Sequence, residues 1–243
     1  MRSQPRPRRD VVSFGRRDGR RQGQYARAAA SDPAVSRYVV TPDRGERSAS
    51  LAPGWRFDAS AAFGRRAPLV VEIGSGTGEA ALAYAGQHLD RDVLAVEVYR
   101  PGASRTVLRA HAAGLPNVRV IEADGRALVA TGLATGSVAG LHVYFPDPWP
   151  KTRHHKRRLV DAGFVADAAR VLAPGGVLRL ATDWEHYAQQ MLEVGTACPD
   201  LVNPRADVAG GWAPRCAGRP ETLFERKGIA AGRTIYDLEF RRR

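Results

Sequence analysis

Residues 69–79 read LVVEIGSGTGE: an apolar run closing on an acid, three alternating glycines, then a second acid. Leu69 to Ile73 is short, β-branched and bounded by Pro68 and Gly74, which predicts a buried strand of a parallel sheet. Gly74, Gly76 and Gly78 predict a turn whose missing side chains let a ligand lie against bare backbone. A helix from Glu79 to Gln87 (EAALAYAGQ) would then direct its free N–H groups at that ligand.

A strand, a glycine turn and a helix suit either a dinucleotide or S-adenosylmethionine. The dinucleotide pattern needs a glycine where this chain has Glu79, and a second acid is badly placed beside a pyrophosphate. S-adenosylmethionine carries a ribose diol, an ammonium and a sulfonium, all of which suit carboxylates. Glu72 faces the cleft where the amino-acid end would sit. Asp92 to Val98 (DVLAVEV) repeats the apolar run and places Glu97 at its tip, where a carboxylate can accept both ribose hydroxyls. A third strand, Asn117 to Glu122, leads to Asp124, placed either to accept from the adenine amine or to cap a helix.

The chain has 243 residues, a net charge of +12 and a pI near 10.6. That length holds one α/β domain and a tail, and the charge points to a polyanion such as nucleic acid. No apolar run reaches transmembrane length and no signal peptide is evident, so no membrane partner is expected. Cys198 and Cys216 are isolated and lack metal-ligand spacing, so the expectation is a reduced, cytoplasmic compartment and no metal. Residues 1–47 hold twelve arginines against five acids. They predict a basic N-terminal extension, its first ten residues unfolded, ahead of a catalytic domain over 48–243. Between Ser13 and Tyr25, Phe14 and Tyr25 interleave with Arg16, Arg17, Arg20 and Arg21, which suits an RNA contact. Residues 48–67 read as a linker and lead-in, with Trp55, Phe57 and Phe63 packing onto the domain.

Further strands are predicted over 140–145 and 177–182, helices over 101–113, 161–172 and 186–194, and an antiparallel edge strand over 234–240. Residues 221–228 read as a polar loop. The stretch Pro146-Asp147-Pro148-Trp149-Pro150-Lys151 has three prolines in five residues, which predicts a stiff loop holding Asp147 beside the cofactor cleft. Thr152-Arg153-His154-His155-Lys156-Arg157-Arg158 follows at once. Lys151, Arg153, His154 and Lys156 are therefore expected to meet RNA. Asp183 and Trp184 fall at the tip of the fifth strand, and Trp149 and Trp184 suit either base stacking or the core.

With these stretches placed, the chain resembles the bacterial tRNA (guanine-N7-)-methyltransferase family. The matches are SFGRRDGR, VEIGSGTGE, the VEV strand tip, FPDPWPKTRHHKRR, LAPGG with TDW, and ETLFERKG with DLEF, spanning about residues 13–240. The resemblance implies a Rossmann-like class I methyltransferase: a doubly wound, mostly parallel seven-stranded sheet with an antiparallel edge strand. It implies methylation of N7 of the variable-loop guanine of tRNA, with S-adenosyl-L-methionine as donor. Glu72, Glu97 and Asp124 match donor-binding positions, and Asp147 a donor-side position that is the catalytic candidate. Lys151, Asp183, Thr222, Leu223, Phe224 and Glu225 match positions associated with the tRNA. Thr152 and Glu221 depart from the shared pattern without touching a proposed catalytic group. The sequence leaves monomer or homodimer open. Its rivals are a class I methyltransferase with another acceptor, a non-catalytic RNA-binding module and, more remotely, a nicotinamide-dependent oxidoreductase.

Overall fold

The computed structural model describes residues 32–46 and 49–243. The expected RNA contact between Ser13 and Tyr25, and the expected unfolded first ten residues, lie outside the described residues. In chain order the elements are α1 (Pro33–Ser36), β1 (Val39–Val40), α2 (Ala59–Phe63), β2 (Leu69–Ile73), α3 (Glu79–Gln87), β3 (Asp92–Glu97), α4 (Arg100–Ala112) and β4 (Val118–Glu122). A short α5 (Gly125–Ala127) runs into a π-turn at Leu128–Gly132. Then come β5 (Val138–Tyr144), a 3₁₀ turn at Thr152–Arg157, α6 (Ala162–Val171), β6 (Leu172–Thr182), α7 (Glu185–Thr196), β7 (Leu201–Val202), α8 (Leu223–Ala230) and β8 (Tyr236–Arg242).

The strands form one sheet in the order β1-β4-β3-β2-β5-β6-β8-β7. The pairings from β1 to β6 are parallel, while β8 runs antiparallel to both β6 and β7. The sheet has eight strands among the described residues, where seven were expected. Six of the eight were placed in the sequence, and the two that were not are the two-residue β1 and β7. β1 is fixed by the Val120 amide donating to the Tyr38 carbonyl at 2.7 Å, which draws residues 38–40 of the arginine-rich stretch into the sheet. β7 covers the outer side of β8, so β8 is antiparallel as expected but is not the outermost strand.

Strand alternation sends side chains to two faces. On one face Val93, Ala95, Val118 and Val120 pack with Ala81, Leu82 and Ala85 of α3 and with Ala103, Val107 and Ala110 of α4. The other face carries Leu69, Val71, Ile73, Leu94, Leu141, Leu178, Leu180 and Phe240 against Phe164, Val165 and Ala168 of α6 and Tyr187 and Met191 of α7. Helices on both faces make the fold doubly wound. Phe57 is buried in this second cluster, with Trp55 and Phe63 packed against it, as the lead-in was expected to be. From β2 the chain winds outward to β3 and β4, then crosses back to β5 on the opposite side. Ligands collect beyond the carboxyl ends of the strands at such a reversal.

Candidate active site

Four strand tips meet at that edge, and each carries an acid. The glycine turn after β2 is held by Gly74 and Ser75 amides donating to the Val96 carbonyl at 2.8 and 3.0 Å. Gly74, Gly76 and Gly78 have φ of 75°, 57° and 80°, the left-handed region that favours glycine. A Cβ on Gly74 or Gly76 would meet nothing within 4 Å, so both open onto free space. Gly78 is closed instead: its Cβ would lie 2.6 Å from Thr106 of α4. Gly102, at the start of α4, meets the Gly76 carbonyl at the same separation.

Glu97 ties this turn to its own strand. One carboxylate oxygen accepts from the Gly76 amide at 2.7 Å and the other from the Tyr99 amide at 2.8 Å. Burial raises its pKa, those backbone donors oppose the rise, and the charge of Asp147 adds to it. Glu72 is buried and its Oε2 has no hydrogen-bond partner. Burial pushes its pKa up to about 8, against the pull of Arg219 and with a further push from Glu97. Glu72, Glu97 and Asp147 thus share one electrostatic neighbourhood. Asp124 caps α5, its Oδ1 accepting from the Arg126 and Ala127 amides at 2.8 and 3.2 Å.

The proline loop extends β5 past the sheet. The Phe145 amide still donates to the Ala181 carbonyl at 2.8 Å, after which the chain turns out to the exposed Asp147. Phe145 and Trp149 adopt φ of 53° and 44°, the positive-φ positions among the described non-glycine residues. The basic run beyond divides by direction. Lys151, Arg153, Lys156 and Arg157 face solvent, and His154 is half-buried with its ring edge-on to Trp149, 5.9 Å away. The Arg157 guanidinium lies over the Trp149 ring at 4.9 Å. Arg158 turns inward and is buried. Trp184 packs against the core rather than standing free.

Residues 223–230 form α8 where a loop was expected. Its sequence lacks an apolar stripe, and it is anchored by polar contacts instead. Thr222 caps it, accepting from the Glu225 amide at 3.2 Å. Glu79, at the start of α3, accepts from the Leu223 amide at 2.8 Å and pairs with Arg226 at 3.4 Å. At the other bank Asp183 pairs with Arg233 at 2.7 Å and lies against Gly228. Glu225 is 1% exposed, gripped by Arg215 at 2.9 Å and Arg219 at 3.2 Å. Leu223 and Phe224 are 47% and 58% exposed. Of the four adjacent residues expected to meet the substrate, two face out and two face in.

Arg219 was not foreseen as part of the site. It is buried, holds both oxygens of Asp237 at 3.0 and 2.9 Å, and lies over the rings of Tyr144 and Phe145 at 5.0 and 5.5 Å. Glu72 pairs across the sheet with His142, His142 with Arg179 and Arg179 with Glu239, giving the β5–β6–β8 part of this face a polar row. His142 has its pKa lowered to about 3 by burial and then by Arg179 and Arg219, so its ring is neutral.

A family described as "Putative methyltransferase" matches residues 66–238. A tRNA (guanine-N(7)-)-methyltransferase of Paenarthrobacter aurescens is 40% identical over 277 residues, covering 96% of this chain and 91% of its own. Proteins of the same name from Cutibacterium acnes and Leifsonia xyli are 44% and 51% identical, covering 99% and 77% of this chain and 86% and 82% of theirs. Among solved structures, the 16S rRNA methyltransferase KamB superposes with a TM-score of 0.51 at 18% identity, covering 77% of this chain and 95% of that one, which is a likeness of fold. The donor of this family fits the site: an unpartnered buried carboxylate oxygen, two glycines opening onto free space and a second carboxylate at the next strand tip. This chain belongs to the tRNA (guanine-N7-)-methyltransferase family, with S-adenosyl-L-methionine as its methyl donor.

Proposed function

We propose that the chain transfers the methyl group of S-adenosylmethionine to N7 of the variable-loop guanine of tRNA. The observation that supports this reading is the proline loop in a chain of this family: the charge of its Asp147 reaches Glu97, and that of Glu97 reaches Glu72. Bound there, the donor supplies a sulfonium-activated methyl group. Glu72, with its free oxygen, would hold the ammonium and Glu97 the ribose diol, while the missing side chains of Gly74 and Gly76 leave room for the donor against the turn. Asp124 would take the adenine amine in addition to capping α5.

Guanine N7 has a lone pair and no proton, so the reaction needs no general base. The ring gains positive charge as the bond forms. Asp147 would accept from guanine N1–H and the exocyclic amine, selecting the base and stabilising that charge, while the stiff loop fixes its approach. Positioning of this kind can supply up to roughly 7–11 kcal/mol. N7 lies on the major-groove edge, which side chains cannot read in A-form RNA, so the target base must leave its stack. Lys151, Arg153, His154, Lys156 and Arg157 would take phosphates at the rim. Leu223 and Phe224 offer apolar surface to a base, and Thr222, Glu225 and Asp183 set the position of α8 beneath them.

The test is incubation of unmodified tRNA with the protein and labelled donor, followed by nucleoside analysis. N7-methylguanosine is expected, and label in another nucleoside would assign a different acceptor. Asp147→Ala should lower turnover by about 100-fold or more at nearly unchanged donor affinity. Undiminished turnover would remove Asp147 from the chemistry.

A further inference from the structure

Proline stiffens the loop that carries Asp147 but does not by itself seat it on the domain. Its three prolines lack N–H groups, and Phe145 and Trp149 occupy a backbone region that residues with a Cβ adopt only when their surroundings impose it. Arg158 supplies that constraint. Its Nε donates to the Pro148 carbonyl at 2.9 Å, one residue beyond Asp147. One terminal nitrogen contacts Gln190 Oε1 at 2.7 Å and His186 Nδ1 at 3.1 Å, and the guanidinium lies over the Tyr187 ring at 4.7 Å. The socket is itself fastened: Gln190 donates to the Val160 carbonyl at 2.9 Å, and the Tyr187 hydroxyl accepts from the Val160 amide at 2.9 Å. His186, Tyr187 and Gln190 all belong to α7, which begins just after Asp183.

We infer that Arg158 is a positioning residue for Asp147: a buried clamp joining the Asp147 loop to α7, rather than the last member of the RNA-binding run. The inference rests on the proposed role of Asp147. Its chemistry requires arginine. A planar fork reaches a carbonyl and an α7 partner together while its face rests on a ring, and a lysine ammonium cannot reproduce that pattern. An RNA contact needs a solvent-facing charge, whereas Arg158 has 1% of its surface exposed.

The experiment compares Arg158→Met and Arg158→Lys with Arg157→Gln in the full chain. Both Arg158 variants should lower kcat by about 100-fold while the KM for tRNA, the donor affinity and the salt slope of tRNA binding stay near wild type. Arg157→Gln should weaken tRNA binding and lower that slope by about one, a change the Arg158 variants should not show. In an Asp147→Asn background the Arg158 substitution should add little further loss, because a clamp acts through the residue it places. Independently of activity, hydrogen exchange at the amides of Asp147, Trp149 and Lys151 should quicken in Arg158→Lys while β2 and β3 stay protected. If Arg158→Met does not fold, His186→Ala, which removes one wall of the socket, should show the same pattern more weakly. Loss of tRNA affinity with a reduced salt slope and unaltered loop exchange would overturn the inference. Absence of N7-methylguanosine with the wild-type protein would overturn the functional reading instead, and the exchange measurement would still decide whether Arg158 clamps the loop.

Discussion

Glu72 shows what a single residue at a strand tip can report. Burial pushes its pKa up to about 8, so the folded, donor-free protein binds this proton far more tightly than the unfolded chain does. The stability gained by holding the proton is complete below the ordinary carboxylate range and is lost as pH rises towards that value. Glu72→Gln imitates the protonated form. Without donor, the variant should melt with wild type near about pH 5 and above it near about pH 8.5, while losing donor affinity at both. In wild type, donor binding should tighten as pH rises towards the same value and release a proton, which calorimetry in buffers of different ionisation enthalpy would register. A melting difference independent of pH would mean that Glu72 is charged in the free protein. The acids at positions 72, 97 and 147 could be read in the sequence because strand tips and a proline loop point outward by rule. Arg158 could not: in a run of cations nothing local marks the one whose partners lie on α7, 28 to 32 residues away.

At the scale of elements, periodicity carried most of the reading. α3 spans Glu79–Gln87 as expected, and α6, α7 and the central strands fall within a few residues of their predicted bounds, β6 alone starting earlier. The failures have one cause. β1 is two residues long and α8 has no apolar stripe, so each exists through partners distant in sequence: Val120 for one, Glu79 and Asp183 for the other. A prediction follows for α8. Its seat on Asp183 needs the bare backbone of Gly228, where a Cβ would lie 2.7 Å from the carboxylate. Gly228→Ala should loosen α8 at a cost of about 1–3 kcal/mol, seen as faster exchange over residues 223–230 and lower turnover on tRNA. Gly86→Ala, on α3, meets only Leu115 at 3.8 Å and should instead stabilise by roughly 0.5–1 kcal/mol. Equal effects of the two would show that α8 does not depend on close approach at Gly228.

For the molecule as a whole, the net charge of +12 and the carboxylates at the sheet edge belong to different layers. Affinity for tRNA should fall with salt, the logarithm dropping by about 0.7 to 0.9 per phosphate contact, and a flat response would remove RNA as the polyanion. Donor binding, carried by buried acids, should change far less over the same range. The charge total was legible from composition, but its sorting into layers was not, because it depends on which side chains the sheet turns inward.

That layering acts as a sieve. On the proposed reading the basic rim takes polyphosphate strands and the acid-lined edge takes an uncharged nucleobase, whose methylated, cationic form the carboxylates stabilise. A sulfated polysaccharide such as heparin should therefore block tRNA from the rim while leaving the sulfonium compound free to enter.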